Sequence, residues 1–304
     1  MEQNNRILIT GATGFLGVHI AEMLIANGYE VFATKRTTSN LDNCISFVDK
    51  IEWIDIENIN WEKVLAEISP EIIIHSMWIG VDAMNRDDWK QQIQNITLTE
   101  NLLSAAAKAS VKKIIGLGSQ AEYGNFSKKI SENAKLIPTS AYGVIKNTCA
   151  DMTRVYCESN EIKWYWLRLF PLFGEKESSK WLIPSVIRSI QTQKSMDFTA
   201  GEQRYAYLYV KDFAQTILTL IKSSGASGVY NISSSNPQPL KNIITEIRDI
   251  LNPSFQLNFG ALPYRNGQSM HIEGDVSKFE KMIGAVYTSD FQENLKRTID
   301  YYIQ

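Results

Sequence analysis

Histidine and cysteine are scarce in this chain, with three of each in 304 residues. His19, His75 and His271 stand far apart, and no His/Cys cluster has metal-ligand spacing, so no metal site is expected. Cys44, Cys149 and Cys157 are odd in number and form no CxxC pair, which argues against a disulfide framework and fits free thiols in a reducing cytoplasm. An excess of one charge is also lacking. Lys and Arg number 31 against 33 Asp and Glu, and a net charge of -2 gives no electrostatic case for nucleic acid or an anionic membrane surface. No apolar run approaches the length of a membrane span. The stretch Met1-Glu-Gln-Asn-Asn-Arg6 is polar and leads directly into a core strand, so no signal peptide is expected there. What is present is 44% hydrophobic and 21% charged residues, the make-up of a soluble globular protein able to bury one large core or two modest ones.

The first half alternates short apolar runs with helical patterns. Ile7–Ile9, Val31–Ala33, Ile72–Ile74, Ile114–Leu117 and Trp164–Leu169 read as buried strands. Leu16, Ile20, Met23 and Leu24 recur at helical spacing, and Gly28 sits where a C-terminal cap belongs. Ile96–Ala109 and Ala141–Ser159 read as further helices. Such alternation implies an α/β fold, a doubly wound parallel sheet with helices on both faces. After Phe170 the alternation weakens: Pro171, Pro184, Pro237, Pro239, Pro253 and Pro263 interrupt shorter elements, and Ser223–Gly228 is a loop. The expected division is a dinucleotide-binding domain over 1–170 and a smaller mixed α/β region over 171–304, from which about 201–225 returns to the first.

The strand Arg6-Ile-Leu-Ile-Thr runs into three glycines spaced three apart, Gly11, Gly14 and Gly17. Glycines at this spacing allow a tight strand-to-helix turn, close approach of backbone to a pyrophosphate, and close helix packing. The strand before and the amphipathic helix after are what a nucleotide-binding turn requires. An acid at the end of the second strand would hydrogen-bond the ribose of NAD. Lys35 and Arg36 stand there instead, followed by Thr37 and Thr38, which is the chemistry for a 2′-phosphate and points to NADP(H), with NAD(H) second. Asp55, after Ile51-Glu-Trp-Ile, is placed either to meet the adenine edge or to cap its loop.

Tyr142 and Lys146 lie at i and i+4, on one face of a helix. A cation near the phenol is expected to lower its pKa and make it a usable proton donor and acceptor. Ser119 ends the strand Ile114-Ile-Gly-Leu-Gly-Ser, where side chains face the crevice of a doubly wound sheet.

With these residues in this order, the chain resembles the extended short-chain dehydrogenase/reductase family, in its nucleotide-sugar-modifying epimerase/dehydratase branch. The likeness spans nearly the whole chain: the glycine turn, Asn95 within Gln94–Leu103, Gly118-Ser-Gln-Ala-Glu-Tyr-Gly124, Tyr142 to Lys146, Leu167-Arg-Leu-Phe-Pro-Leu-Phe-Gly174 and Tyr209-Val-Lys-Asp212. It implies a Rossmann sheet with a C-terminal region that binds the nucleoside diphosphate of the substrate. It makes Tyr142 the acid/base, Lys146 the residue holding the nicotinamide ribose, and Ser119 the hydrogen-bond partner of the reacting sugar oxygen. It places Gly11, Thr13, Gly14, Phe15, Leu16 and Gly17 around the cofactor, with Lys35 and Arg36. Asp55 and Ile56, Ser76, Met77 and Trp78, Asn95 and Phe170 complete that cofactor set. Trp78, Gln120, Arg204 and Arg265 are the implied substrate contacts. Family members are often homodimers through a four-helix contact, here the Leu98–Ala109 and Ala141–Ser159 helices.

Departures from the family pattern narrow the reaction. Sugar dehydratases of this fold carry an Asp-Glu pair directly after the Ser/Thr, and Gln120 and Ala121 stand there instead. Reductases that also epimerise neighbouring carbons use a Cys and a His, and this chain has Ala121 and no histidine between His75 and His271. The usual diphosphate-binding Arg falls on Tyr205, with Arg204 one place early, and a sugar-touching Asn is replaced by Pro171. His75-Ser-Met-Trp78 and Phe259–Arg265 are similar to 4-keto-6-deoxysugar reductases. The reading that results is NADPH-dependent reduction of a nucleoside-diphosphate 4-keto-6-deoxyhexose, in deoxysugar and O-antigen-type polysaccharide synthesis. A nucleotide-sugar 4-epimerase with tightly bound NAD, a non-catalytic NADP sensor and a reductase of small aldehydes or ketones stay open.

Overall fold

Strands that are apolar at every position require a sheet covered on both faces. The computed structural model describes residues 5–57 and 59–304 and has that form. The expectation for the N-terminal stretch falls partly on residues 1–4, outside the described residues. The chain runs β1 (Arg6–Thr10), α1 (Phe15–Ala26), β2 (Glu30–Lys35), β3 (Glu52–Asp55), α2 (Trp61–Ile68), β4 (Ile72–His75), α3 (Trp89–Lys108), β5 (Lys113–Ser119), α4 (Ala141–Ser159) and β6 (Lys163–Leu169). It continues through β7 (Leu172–Phe173), α5 (Leu182–Thr192), β8 (Ser195–Phe198), β9 (Arg204–Tyr205), β10 (Leu208–Tyr209), α6 (Val210–Lys222) and β11 (Gly228–Ile232). Last come β12 (Gln238–Pro239), α7 (Leu240–Leu251), β13 (Gln256–Phe259), β14 (His271–Ile272), α8 (Ser277–Met282) and α9 (Phe291–Ile303).

Seven strands form one sheet in the order β11-β6-β5-β4-β1-β2-β3, every pair parallel. This is the doubly wound Rossmann arrangement, and its strand order reverses between β1 and β4. Alternate residues face opposite sides: Ile7 and Ile9 pack with α1 and α6, while Leu8 packs with α2, α3 and α4. A third cluster holds the C-terminal region together, with α5, α7 and α9 around Phe173 and Tyr209. Phe15 and Leu16 of α1 pack against that cluster, so the glycine turn lies where the two parts of the molecule join.

The return to the sheet runs further than the sequence expects. Besides α6, which lies on α1, β11 pairs along β6 from Gly228–Tyr165 to Ile232–Leu169. Short polar loops hide its signal, because Val229, Tyr230 and Ile232 make only a brief apolar run. Two of the helices that flank the site start at side-chain caps: Asp88 accepts the amide hydrogens of Lys90 and Gln91 at α3, and Ser140 accepts that of Gly143 at α4. Among the described residues no helix is long and apolar enough to cross a membrane.

Candidate active site

The glycine turn closes over the end of β1. Gly11 has φ +73°, and a Cβ there would stand 2.8 Å from the Met77 backbone, so only glycine lets the loop after β4 approach. At Gly17 a Cβ would meet the Gly11 carbonyl oxygen at 2.3 Å, which sets how closely α1 packs on the turn. Gly14, the N-cap of α1, is different: its missing Cβ has one neighbour within 4 Å, and no acidic side chain stands in the first helical turn. That open cradle at a helix N-terminus fits a pyrophosphate. The Thr34 hydroxyl accepts the Gly11 amide hydrogen at 3.1 Å.

The loop after β4 is stitched down from both ends. Thr10 Oγ1 bonds His75 Nδ1 at 2.9 Å and accepts the Met77 amide hydrogen at 3.2 Å, while Ser76 N donates to the Thr10 carbonyl. Burial, helped by the Lys146 charge, pushes the His75 imidazole down to about 3, so it is a neutral strut. Asn95 is 1% exposed, accepts the Ile79 amide hydrogen at 2.8 Å and donates to the Ile79 and Gln92 carbonyls. Its amide positions the loop bearing Trp78, whose Nε1 donates to Gln92. Phe170, expected at the cofactor, directly follows β6, is 2% exposed and packs with Tyr123, Ile130 and Ile272.

Lys35 lies opposite Asp55 in the β2–β3 register, and the Ile56 amide donates to the Lys35 carbonyl. Asp55 accepts the Glu57 amide hydrogen at 2.9 Å, the capping arrangement for its loop. Lys35 is half-buried and Arg36 exposed, and neither forms an ion pair with a described residue.

Ser119, Tyr142 and Lys146 meet at the ends of β5 and α4 and are 9%, 7% and 5% exposed. The Ser119 side chain acts on the Tyr142 hydroxyl to lower its pKa. Lys146 Nζ donates to the Leu117 carbonyl at 2.6 Å and stands 3.5 Å from the centre of the Trp78 ring. Burial pushes its ammonium down to about 7, with Arg86 acting in the same direction and Cys149 and Glu122 against it.

The expected effect of lysine on the phenol does not hold. Burial dominates and raises the Tyr142 pKa above the ordinary value, and the cation that opposes the rise is Arg86. Lys146 turns its charge to a carbonyl and stays 5.8 Å from the Tyr142 ring centre.

Ser119 is held by a buried network. Its hydroxyl accepts the Ala121 amide hydrogen, and its amide donates to Glu122 Oε1 at 2.8 Å. Glu122 also accepts from Trp166 Nε1 and pairs with Arg168 at 2.7 Å; Arg168 in turn donates to the Tyr123 hydroxyl. Of the residues expected to touch substrate, Arg204 is exposed and donates to the Pro237 carbonyl at 2.9 Å. Arg265 is the arginine whose charge reaches Tyr205, and Gln120 is half-buried next to Ser119. Lys180 pairs with Asp82 at 3.0 Å, tying the loop before α5 to the loop before α3.

The family model described as "NAD dependent epimerase/dehydratase family" matches residues 7–233. The chain belongs to this family. It is an oxidoreductase-type enzyme of the NAD-dependent epimerase/dehydratase family, and its relatives belong to the nucleotide-sugar branch. CDP-abequose synthase of Salmonella muenchen is 26% identical over 285 residues, 91% of each chain. The dTDP-6-deoxy-L-talose 4-dehydrogenase (NAD(+)) of Aggregatibacter actinomycetemcomitans is 24% identical over 88% of this chain and 98% of its own. In fold, the UDP-N-acetylglucosamine 4-epimerase from Methanobrevibacter ruminantium M1 superposes with a TM-score of 0.90 at 23% identity over 99% of both chains.

Arg86, Trp181, Glu122 and Arg168 escaped the sequence reading. Glu122 had a signal, since Ser119-x-x-Glu122 is a capping-box spacing. Arg168 had one too, as a lone charge inside a buried strand that requires a counter-ion. Arg86 and Trp181 meet only in three dimensions.

Proposed function

We propose that this enzyme reduces the 4-keto group of a nucleoside-diphosphate 4-keto-6-deoxyhexose with NADPH, in the cytoplasm. The observation that carries the reading is the Ser119–Tyr142–Lys146 cluster with no free acid beside it. Gln120 and Ala121 follow Ser119, and Glu122 is buried and paired with Arg168, so the elimination of water has no acid and base there. The names of two relatives, CDP-abequose synthase and dTDP-6-deoxy-L-talose 4-dehydrogenase, support a deoxyhexose.

A dihydronicotinamide cofactor, its pyrophosphate held at the glycine turn, would supply the hydride that reduces the carbonyl carbon. Tyr142 gives its phenolic proton to the carbonyl oxygen: that O–H bond breaks, the sugar hydroxyl forms, and the phenolate takes a proton back from solvent. Ser119 orients the oxygen that receives the proton. Lys146, its pKa pushed down to about 7 by burial, would hold the nicotinamide ribose and pass protons along the same face. Lys35 and Arg36, without carboxylate partners among the described residues, are the contacts for the 2′-phosphate of NADP. Arg204 and Arg265 are the two candidate contacts for the diphosphate. A second copy would dock along the Leu98–Ala109 and Ala141–Ser159 helices to form a dimer, where Val155 is exposed.

A panel of nucleoside-diphosphate 4-keto-6-deoxyhexoses incubated with C4-deuterated NADPH tests the reading. One deuterium should appear at sugar C4 for each NADPH consumed, with no solvent deuterium at C3 or C5. Conversion of a UDP-hexose to its C4 epimer without net NADPH consumption would establish the second reading, a 4-epimerase with bound NAD. That reading needs the same three residues and is supported by relatives such as the UDP-glucuronate 4-epimerase of Thermodesulfobacterium geofontis, 24% identical over 97% of this chain.

A further inference from the structure

The loop between β4 and α3 lays one charged side chain on the face of Tyr142. The Arg86 guanidinium carbon is 4.9 Å from the centre of the Tyr142 ring and 5.5 Å from that of Trp181. The Arg86 carbonyl accepts the Tyr142 amide hydrogen at 2.8 Å, and its Nε donates to the Val81 carbonyl at 3.1 Å. Asp87 accepts the Ala141 amide hydrogen at 3.3 Å, so two successive loop residues anchor the first turn of α4. One residue therefore fixes the backbone of Tyr142 and covers its ring.

The other polar and charged groups around the phenol act from different directions. Ser119, at the end of β5, favours the phenolate, and Glu122, in the turn that follows, opposes it. Lys146, on Tyr142's own helix, bonds the Leu117 carbonyl and lies further from the ring than Arg86 does. Cys149, a turn beyond, acts on Lys146. A cation attracted to the face of a neutral phenol is attracted more strongly to the anion left by proton transfer.

We propose that Arg86 is a positioning residue for Tyr142: set over the Tyr142 and Trp181 rings, it holds the Tyr142 ring in place and provides the charge against which the phenolate forms. The inference rests on Tyr142 being the proton donor, and is independent of which sugar takes the proton.

The test uses the full-length enzyme with 3,5-difluorotyrosine in place of tyrosine, because the fluorinated phenol titrates below the range of tyrosine. The Tyr142 fluorine signal is the one lost in Tyr142→Phe, and its titration midpoint is read without substrate. Arg86→Gln should raise that midpoint by about one to three pH units. Arg86→Lys, which keeps charge but loses the planar stack, should give a smaller rise. A midpoint unmoved in folded Arg86→Gln overturns the proposal; if that variant does not fold, an unmoved midpoint in Arg86→Lys does so. Because no substrate enters the titration, a failed panel of sugar substrates leaves this result standing.

Discussion

Lys146 and Trp78 are in face contact, the Nζ lying 3.5 Å from the centre of the indole. Tyr142 and Trp166 rings stand 5.8 and 5.9 Å from the same nitrogen, and one carbonyl is its hydrogen-bond acceptor. The ammonium is thus surrounded by aromatic faces instead of water, which is why burial outweighs every other influence on its protonation.

That enclosure makes Lys146 a cost to stability. Its pKa falls from 10.5 unfolded to about 7 folded, so the unfolded state binds more protons between those values. The destabilisation is full below pH 7 and fades as pH rises toward 10.5. Lys146→Met should therefore melt higher than the native chain by about 2 °C or more near pH 6, with a smaller gain near pH 9. Scanning calorimetry at the two pH values checks this, and an equal gain at both would show that charge burial is not the cause.

Tyr142→Phe keeps the ring under Arg86 and removes the proton. Turnover should fall by about 10²–10⁴ with cofactor affinity retained. Stopped-flow turnover combined with cofactor titration by fluorescence measures both, and near-normal turnover would move the proton donor elsewhere.

Arg36→Ala should weaken NADPH roughly ten- to hundredfold, since a hydrogen bond to a charged phosphate is worth about 1.5–3 kcal/mol. NADH binding should barely change. Calorimetric titration of both cofactors decides it; equal losses would place Arg36 outside the phosphate contact.

Arg168→Met leaves Glu122 fully buried without its counter-charge, at a cost of about 3–5 kcal/mol. Urea unfolding of Arg168→Met should show this loss. The double change Arg168→Met with Glu122→Gln should recover a large part of it, and failure of the second change to recover anything would locate the damage in packing.

Much of the nucleotide half was legible because its strands are apolar on both faces and its turn needs glycine. Ile72–Ile74 and Trp164–Leu169 lie inside β4 and β6 as expected. α3 begins at Trp89, seven residues before the apolar pattern that marks it at Ile96, because the cap at Asp88 precedes a polar first turn. The Ser, Tyr and Lys of the candidate site could be read from order and spacing. Their electrostatics could not, because Arg86 reaches Tyr142 from another part of the chain, and burial, which no local motif records, governs both Tyr142 and Lys146.

The late arrival of β11 bears on how the chain can be cut or synthesised. Until residue 232 is available, β6 has an open hydrogen-bonding edge carrying Trp164, Tyr165 and Trp166, the kind of surface that recruits other chains. The ammonium of Lys113 also waits for its acceptors, the carbonyls of Leu220, Ile221 and Ser223 at the end of α6. A fragment ending at residue 170 would keep every residue of the glycine turn and of the Ser119–Tyr142–Lys146 cluster, yet expose that edge. A nascent chain on the ribosome passes through the same condition for some sixty residues.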